Sequence, residues 1–380
     1  MYNIAKLNKI SPAGLKKLTD NYQITEDIDN ATGILVRSQD MHNMKFSPEL
    51  LAIARAGTGV NNIPLEACSD KGVVVFNTPG ANSNAVKELV LAGMLMAARN
   101  IPDAMNWTNS LASTDHIKEE VEQGKSHFRG HEIKGKTIGI IGLGAVGGRL
   151  ANATIDLGMK VIGYDPYFNT DMALNLHPSI TLADSLQEVV RGCDFVTAHV
   201  PANDSTNGMF NKELISLMKD GTDLLNFSRG SIVNQDDLLE ALDSGKIHKY
   251  ITDFASTEIL SRPNVYCLPH LGASTSESED NCAIMAVNEL RNYLENGNIE
   301  NSVNFPKVTL GPLDGDTRIS VLTKGIKNPV DTVLKAYHDF EINAAAGGIK
   351  GDYGYALVST ASSFDTLPEI EGAVRVRVIR

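Results

Sequence analysis

Short apolar runs alternate with amphipathic segments along most of the chain. The runs are rich in β-branched residues and lack polar–apolar alternation, so they predict buried parallel strands. They cover residues 34–36, 51–54, 73–76, 137–141, 160–164, 195–198, 223–226 and 265–268, with a further strand around residue 250. The segments between them are long enough for crossover helices. The pattern therefore predicts two doubly wound α/β units, one on each side of about residue 100.

The remaining segments predict a connector and a small C-terminal unit. Residues 100–134 are polar with a helical pattern, and a later helix ends at Gly297. After a linker over 298–316, the tail predicts the order βαββαβ, which is typical of a ferredoxin-like fold. Its predicted strands are 318–323, 342–346, 355–360 and 374–379, and its predicted helices are 329–340 and 366–370.

Composition narrows the classes of partner. The 380 residues suggest two to three domains, and the net charge is −12 without a Lys/Arg block. This charge argues against a nucleic-acid partner or a membrane surface. The most apolar run, 89–98, has about half the length of a membrane span. Four cysteines without a C-x-x-C pair favour reduced thiols in the cytoplasm. No metal site is expected.

A glycine-rich segment at 142–147 follows one predicted strand and opens a helix. Its sequence, Gly-Leu-Gly-Ala-Val-Gly, is the dinucleotide-binding pattern. Gly142 permits the tight turn, Gly144 lets the backbone approach a pyrophosphate, and Gly147 lets the helix pack against the strand. The context of strand, loop and helix therefore favours a nucleotide site over an ordinary glycine turn.

The cofactor predicted from this motif is NAD. The helix N-terminus offers N–H groups to the pyrophosphate near Ala145 and Val146. Asp165 ends the next strand and can accept hydrogen bonds from both adenosine ribose hydroxyls. An acid at this position would repel a 2′-phosphate, and no arginine follows it, so NAD is favoured over NADP.

Three residues suited to hydride transfer follow three predicted strands. Arg229, Glu258 and His270 lie where open α/β sheets place their chemistry. A histidine can accept a hydroxyl proton near neutral pH, a carboxylate can stabilise the imidazolium, and a guanidinium can hold a substrate carboxylate. Alone, each has a simpler role as a turn residue or surface charge. His199, also at a strand end, either shapes the nicotinamide pocket or is structural.

The motifs GLGAVG, GYDPY, HVPANDST, NFSRGSIV, DFASTE and PHLGAST together resemble the D-isomer-specific 2-hydroxyacid dehydrogenases. The resemblance implies Arg229, Glu258 and His270 as the catalytic set. It implies a substrate domain, 1–98 completed by 276–300, that clasps an NAD domain over 99–275. The implied cofactor contacts are Gly142, Gly144, Ala145, Val146, Gly147, Asp165, His199, Val200, Pro201, Phe227, Ser228, Arg229, Asp253, His270, Gly272 and Ala273.

Three further stretches, 35–38, 76–82 with 86–89, and 302–306, resemble members of that family that oxidise D-3-phosphoglycerate on the route to serine. The implied substrate is a phosphorylated 2-hydroxy acid, and the implied assembly is a homodimer or homotetramer. Arg37 and Ser38 could hold the phosphate, and Asn82 and Arg229 the rest of the substrate. The alternative roles are equally open from the sequence: Arg37 as a charge on the surface, and Asn82 as a turn residue.

The tail, 316–380, resembles an ACT domain, a module that binds amino acids, which implies an amino-acid effector. The segment Lys-Asn-Pro-Val at 327–330 departs from the pattern because Val330 replaces the usual glycine. This departure argues against feedback by serine. Pairing of tails through their sheet edges depends on backbone groups and tolerates the change.

Two other functions fit the same motifs. One is a glyoxylate/hydroxypyruvate or D-lactate-type reductase, against which the C-terminal unit argues. The other is an NAD-sensing, corepressor-like protein without catalysis. Such corepressors share the fold and the Arg–Glu–His set, so the three residues do not by themselves exclude this function.

Overall fold

The computed structural model describes residues 1–362 and 367–380. Within these residues the strands are β1 (Tyr2–Lys6), β2 (Tyr22–Thr25), β3 (Gly33–Val36), β4 (Ala52–Arg55), β5 (Val74–Phe76), β6 (Thr137–Ile141), β7 (Lys160–Tyr164), β8 (Thr181–Leu182), β9 (Phe195–Ala198), β10 (Thr222–Asn226), β11 (Ile247–Thr252), β12 (Val265–Cys267), β13 (Thr317–Lys324), β14 (Ile342–Lys350), β15 (Tyr353–Thr360) and β16 (Ala373–Ile379).

The α-helices are α1 (Pro12–Leu15), α2 (Leu65–Asp70), α3 (Ser83–Ala98), α4 (Ile101–Ser110), α5 (Ile117–Gly124), α6 (Gly147–Asp156), α7 (Thr170–Leu174), α8 (Leu186–Val190), α9 (Lys212–Ser216), α10 (Gln235–Asp243), α11 (Thr257–Leu260), α12 (Ser276–Asn296) and α13 (Pro329–Ala336). Short 3₁₀ turns cover Leu111–Ser113, Lys125–Phe128 and Gly230–Ile232. Over the described residues, none of these helices is long and apolar enough to cross a membrane.

The chain divides into two compact units. The first consists of Met1–Asn82 with Ser276–Arg380, and the second of Ser83–Thr275. In the first unit, strands β2-β1-β3-β4-β5 form a parallel sheet in that order. Strands β3 to β5 are almost wholly buried, as their unbroken apolar sequences predict. Helix α12 packs against this sheet through Leu290, Tyr293 and Leu294.

The second unit contains a seven-stranded parallel sheet with the order β12-β11-β10-β9-β6-β7-β8. Chain order runs outward in both directions from β6, so the direction reverses between β6 and β9. In open parallel sheets this reversal opens a crevice at the carboxyl ends of the strands. The prediction of an α/β fold with parallel, doubly wound sheets is therefore confirmed.

Helix α3 belongs to the second unit, although residue 98 was the predicted boundary. It packs closely on the seven-stranded sheet: a Cβ on Gly93 would lie 2.9 Å from Ile251 Cγ2 and 3.0 Å from Phe227 Cζ. The absence of a side chain at Gly93 allows the helix to lie against strands β10 and β11. The division between the units therefore falls at Asn82.

The C-terminal residues form an antiparallel sheet with the order β14-β15-β13-β16. This is the strand order that a βαββαβ chain produces, and one face is covered by Val333 of α13 and by Tyr337, which directly follows that helix. The second predicted helix, 366–370, is not formed over residues 367–370, and residue 366 lies outside the described residues.

The opposite face of this sheet shares a core with the rest of the first unit. Leu322, Tyr355 and Leu357 pack in the same cluster as Tyr293 and Phe305. The sequence pattern predicted a separate small unit, whereas the structure buries both faces of the sheet. Both sets of alternating side chains along β13 and β15 are buried, and the set in the shared core combines the apolar Leu322, Tyr355 and Leu357 with the buried polar side chains of Arg318 and Ser320.

Buried polar contacts fasten the sheet to the end of α12. The hydroxyl of Tyr355 donates to the carbonyl of Gly297 over 2.5 Å. The guanidinium of Arg318, which is 3% exposed, donates to the carbonyls of Asn296, Leu310, Gly311 and Pro312. These bonds satisfy carbonyls that a helix end and a linker would otherwise leave without partners.

Candidate active site

The carboxyl ends of five strands lie level in the sheet of the second unit. Asn226 of β10 pairs with Thr252 of β11, and Thr252 pairs with Cys267 of β12. On the other side, Ile141 of β6 pairs with Ala198 of β9. Neighbouring strands are about 4.8 Å apart, so the residues that follow these ends share one edge. They are the glycine loop, His199, Arg229, Asp253 and His270.

The glycine loop requires glycine at two positions and leaves space at a third. Gly142 has φ +88°, and a Cβ there would lie 2.5 Å from the carbonyl oxygen of His199. A Cβ on Gly147 would lie 1.8 Å from the carbonyl oxygen of Gly142. Nothing lies within 4 Å of a Cβ built on Gly144. That open space is what close approach of a pyrophosphate to the backbone requires.

Asp165 connects the loop to the end of β7. Its two carboxylate oxygens accept hydrogen bonds from the backbone N–H of Leu143, over 2.8 Å, and from that of Tyr167, over 2.9 Å. Helix α6 begins at Gly147, so its N-terminus faces the same loop. An acidic side chain here, together with the open backbone at Gly144, fits NAD.

Arg229 follows β10 on a short loop that a buried amide holds. The side chain of Asn226 donates to the carbonyl of Arg229 over 2.9 Å, accepts from the N–H of Ser228 and contacts the Tyr250 hydroxyl. The guanidinium of Arg229 is exposed and donates to the carbonyl of Ser228 over 2.6 Å. Among the described residues it forms no salt bridge with an acidic side chain, so it can bind an anionic group.

His270 follows β12 in a strained backbone conformation, with φ +28°. Its N–H donates to the carbonyls of Asp253 and Leu268, over 3.0 and 3.1 Å. The exposed imidazole lies 5.1 Å from the ring of Phe254, centroid to centroid. Strain of this kind persists where the surrounding structure holds a side chain in place, often at functional sites.

Glu258, the predicted partner of His270, does not pair with it. It is exposed in the first turn of α11, where hydrogen bonds from its own backbone N–H and from Ser256 lower the pKa of its carboxyl. The structure therefore brings Arg229 and His270 to one sheet edge but leaves the Glu258–His270 pair unformed.

Asp253, whose backbone carbonyl accepts from the His270 N–H, is an acid at the same edge and is 2% exposed. Its Oδ2 accepts from the N–H of Gly272 over 2.9 Å, and its Oδ1 is buried without a hydrogen-bond partner. Burial raises the pKa of this carboxyl. A buried acceptor without a donor is costly, so Oδ1 is a candidate contact for a hydroxyl group of a bound molecule.

His199 lies beside the glycine loop at the end of β9. Its N–H donates to the carbonyl of Ile141 over 2.7 Å, and its Nε2 lies 3.2 Å from Thr197 Oγ1. Burial lowers the pKa of the imidazole to about 4, so the ring is neutral at pH 7. A neutral ring suits the wall of a nicotinamide pocket, although its hydrogen bonds also fit a structural role.

The other predicted cofactor residues fall into two groups. Phe227 packs into the core under α3, and the Ser228 hydroxyl donates to the carbonyl of Ala198 over 2.6 Å, so both side chains point away from the crevice. Val200 lies beside Gly142, and Gly272 donates to Asp253. Pro201 and Ala273 directly follow members of the second group, and Ala145 and Val146 directly precede α6.

The predicted substrate residues lie in the first unit. Arg37 follows β3 and forms a salt bridge with Glu279 over 2.8 Å. Ser38 donates its backbone N–H to Asn8 Oδ1, and Asn82 Oδ1 accepts from the Thr58 hydroxyl over 3.3 Å.

Sequence reasoning missed Arg55, whose Nε donates to the carbonyl of Arg37 over 2.9 Å. Its strand position is level with Val36, so two guanidinium groups follow adjacent strand ends. The signal available in the sequence was its place just after a predicted strand and shortly before the glycine-containing loop at 57–62.

Comparison with known proteins agrees with this geometry. The profile of the D-isomer specific 2-hydroxyacid dehydrogenase NAD-binding domain matches residues 91–272. A D-3-phosphoglycerate dehydrogenase of Haemophilus influenzae is 30% identical over 96% of this chain and 90% of its own length. The chain belongs to the D-isomer-specific 2-hydroxyacid dehydrogenase family. The family predicted from the motifs is therefore confirmed, as is the presence of an NAD-binding domain.

Other relatives of this 2-hydroxyacid dehydrogenase cover it in part. A D-3-phosphoglycerate dehydrogenase of Methanocaldococcus jannaschii is 35% identical over 82% of the chain, which spans 59% of that relative's length. The NAD⁺-bound 3-phosphoglycerate dehydrogenase of Entamoeba histolytica matches with a TM-score of 0.64 at 25% identity, over 80% of this chain and 98% of that one. A Sinorhizobium meliloti glyoxylate/hydroxypyruvate reductase shares the fold, with a TM-score of 0.68 at 23% identity over 80% of this chain and 98% of its own.

Proposed function

We propose that this protein oxidises D-3-phosphoglycerate to 3-phosphohydroxypyruvate with NAD. The observation that carries the proposal is the level row of strand ends, which collects the glycine loop, Arg229 and His270 at one edge. The names of the relatives at 30–35% identity favour this substrate within the family. The acid at Asp165 favours NAD as the cofactor.

Each residue has one task in the proposed reaction. Arg229 binds the substrate carboxylate in a bidentate manner and orients the adjacent C2. His270 accepts the C2 hydroxyl proton at its ring. A bound NAD would supply the acceptor for the C2 hydride. Glu258 stabilises the imidazolium, which requires its side chain to move from its present position toward the ring.

The phosphate end of the substrate is assigned to the first unit. Arg37 and Ser38 follow β3, and Arg55 supplies a second guanidinium beside them. Two arginines with a nearby hydroxyl can neutralise and hydrogen-bond a phosphate dianion. Asn82 contributes an amide to the substrate carboxylate or hydroxyl.

The test compares substrates and variants in steady-state kinetics. Wild-type protein should oxidise D-3-phosphoglycerate with NAD and should use NADP poorly. His270→Asn should lower kcat by roughly 10²–10⁴-fold, while Arg229→Lys should mainly raise KM because lysine cannot bind a carboxylate with two parallel bonds. His116→Asn, which changes an exposed histidine outside the site, is the matched control.

Three outcomes would reject the proposal. Wild-type rates in His270→Asn would remove the proposed base. Preference for glyoxylate or unphosphorylated hydroxypyruvate would instead assign the protein to the reductases of the family. Tight NADH binding without turnover of any 2-hydroxy acid would favour an NAD-sensing protein.

The proposal includes a setting and an assembly. Four unpaired cysteines, three of them buried, suit a reducing cytoplasm. The strand order of the C-terminal sheet favours an ACT-type module, for which an amino acid is the proposed effector. A homodimer or homotetramer is the proposed assembly, which sedimentation equilibrium would measure.

A further inference from the structure

A carboxylate already occupies the guanidinium assigned to the substrate phosphate. Arg37 Nη1 lies 2.8 Å from Glu279 Oε1, and the two side chains are 40% and 43% exposed. Glu279 lies in the first turn of α12, where the helix dipole favours a negative charge. The helix end therefore favours the acid of this pair, and the pair remains open to solvent and to a competing anion.

The neighbouring contacts fix Arg37 in front of this acid. Arg55 Nε donates to the carbonyl of Arg37, so the Arg55 guanidinium lies against the backbone that carries the Arg37 side chain. Gly57 lies against Arg55: a Cβ at Gly57 would be 2.7 Å from Arg55 Nη1. Two guanidinium groups and one carboxylate therefore meet at the ends of β3 and β4. A phosphate that approaches Arg37 meets the Glu279 charge at short range.

We propose that Glu279 is a built-in competitor of the phosphate, and that it sets how tightly the Arg37–Arg55 subsite binds phosphorylated ligands. This inference rests on the proposed function for the identity of the ligand. A phosphate dianion displaces the carboxylate from Arg37, because it carries more charge and more acceptor oxygens. The neutral hydroxymethyl group of an unphosphorylated substrate gains nothing from that exchange. Glu279 therefore weakens binding of phosphorylated ligands and leaves unphosphorylated ones unaffected.

The variant that tests this is Glu279→Gln, which keeps the shape of the side chain and removes its charge. An ion pair between half-exposed side chains contributes little free energy, so in Glu279→Gln the KM for D-3-phosphoglycerate should fall by only about two- to fivefold. The KM for hydroxypyruvate in the reverse reaction should not change. Glu277→Gln is the matched control, because it removes an equal charge from the same helical turn and Glu277 forms no salt bridge among the described residues.

A binding measurement separates this inference from the proposed function. Calorimetric titration with inorganic phosphate needs no turnover, and Glu279→Gln should bind phosphate about two- to fivefold tighter than wild type. The gain should disappear in the double variant with Arg37→Gln. Tighter phosphate binding without oxidation of D-3-phosphoglycerate would support the inference while rejecting the proposed substrate.

The opposite results are equally informative. Phosphate affinity in Glu279→Gln that equals that of Glu277→Gln would overturn the inference, as would a gain that persists without Arg37. Weaker binding in Glu279→Gln would also overturn it, because Glu279 would then hold Arg37 in its binding position. A fall in KM shared by hydroxypyruvate would show that the effect is not directed at the phosphate.

Discussion

The same substitution at two glycines of the nucleotide loop should have opposite effects on thermal stability. Gly144→Ala places a methyl group in open space, and Gly144 has no positive φ. Alanine at a compatible position stabilises a protein by about 0.4–1 kcal/mol, because it restricts the unfolded chain. For a unit of this size that corresponds to a Tm increase of about 1–4 °C. Stability should therefore rise slightly or stay constant.

Cofactor affinity should move the other way in Gly144→Ala. The added methyl group stands where the pyrophosphate must approach the backbone, and one lost hydrogen bond to a charged group is worth about 1.5–3 kcal/mol. NADH should therefore bind at least about tenfold more weakly. Fluorescence titration with NADH measures this affinity, and thermal unfolding followed by circular dichroism measures stability.

Gly147→Ala is the paired variant. Its Cβ would lie 1.8 Å from the Gly142 carbonyl oxygen, so the loop or α6 must move. Overpacking of this kind costs about 1–3 kcal/mol, which predicts a Tm lower by several degrees together with weaker NADH binding. Wild-type NADH affinity in Gly144→Ala would refute the cofactor role of the loop. An unchanged Tm in Gly147→Ala would refute the close approach.

Three further predictions concern other parts of the molecule. The depressed pKa of His199 stabilises the fold above pH about 6.5, and this contribution is lost as the pH falls toward 4. Between pH 6.5 and about pH 4, the free energy of unfolding should therefore fall further in wild type than in His199→Gln. The difference should be at most about 3 kcal/mol, and urea titrations at each pH measure it. Asn226→Ala leaves the Arg229 carbonyl and the Tyr250 hydroxyl without their amide partner. The free energy of unfolding, measured in urea titrations, should therefore fall by about 1–3 kcal/mol, and the substrate KM should rise. The control variant Tyr250→Phe should leave the KM near that of wild type. Removal of residues 317–380 exposes the core shared with the first unit, so we expect unfolding or aggregation in size-exclusion chromatography rather than a folded remainder.

The parallel sheets were predictable because buried strands must be apolar on both faces. Strands β6, β7 and β9 begin and end where the sequence predicts. Strand β1 was not predicted, since only two of its five side chains are buried. Strands β2 and β8 also escaped prediction because they lie at sheet edges, and most of their side chains are not buried. An edge strand needs less apolar sequence, so its signal resembles that of a loop.

The candidate site was predictable as far as sheet topology controls it. Parallel strands end at one edge, so Arg229 and His270 had to lie there once β10 and β12 were identified. The predicted contact between His270 and Glu258 is not formed, because its formation depends on the loop before α11. Hydrogen bonds local to that loop hold Glu258 elsewhere. The buried oxygen of Asp253 is a tertiary feature that no spacing in the sequence reveals.

Helix α12 joins two distant parts of the first unit. Its 21 residues span about 30 Å. Glu279 sits in its first turn, while the carbonyls of Asn296 and Gly297, at its far end, are held by Arg318 and Tyr355 of the C-terminal sheet. One helix therefore connects the anchor of the C-terminal sheet with the acid that pairs with Arg37, and strands β13 and β15 help to fix where that helix lies.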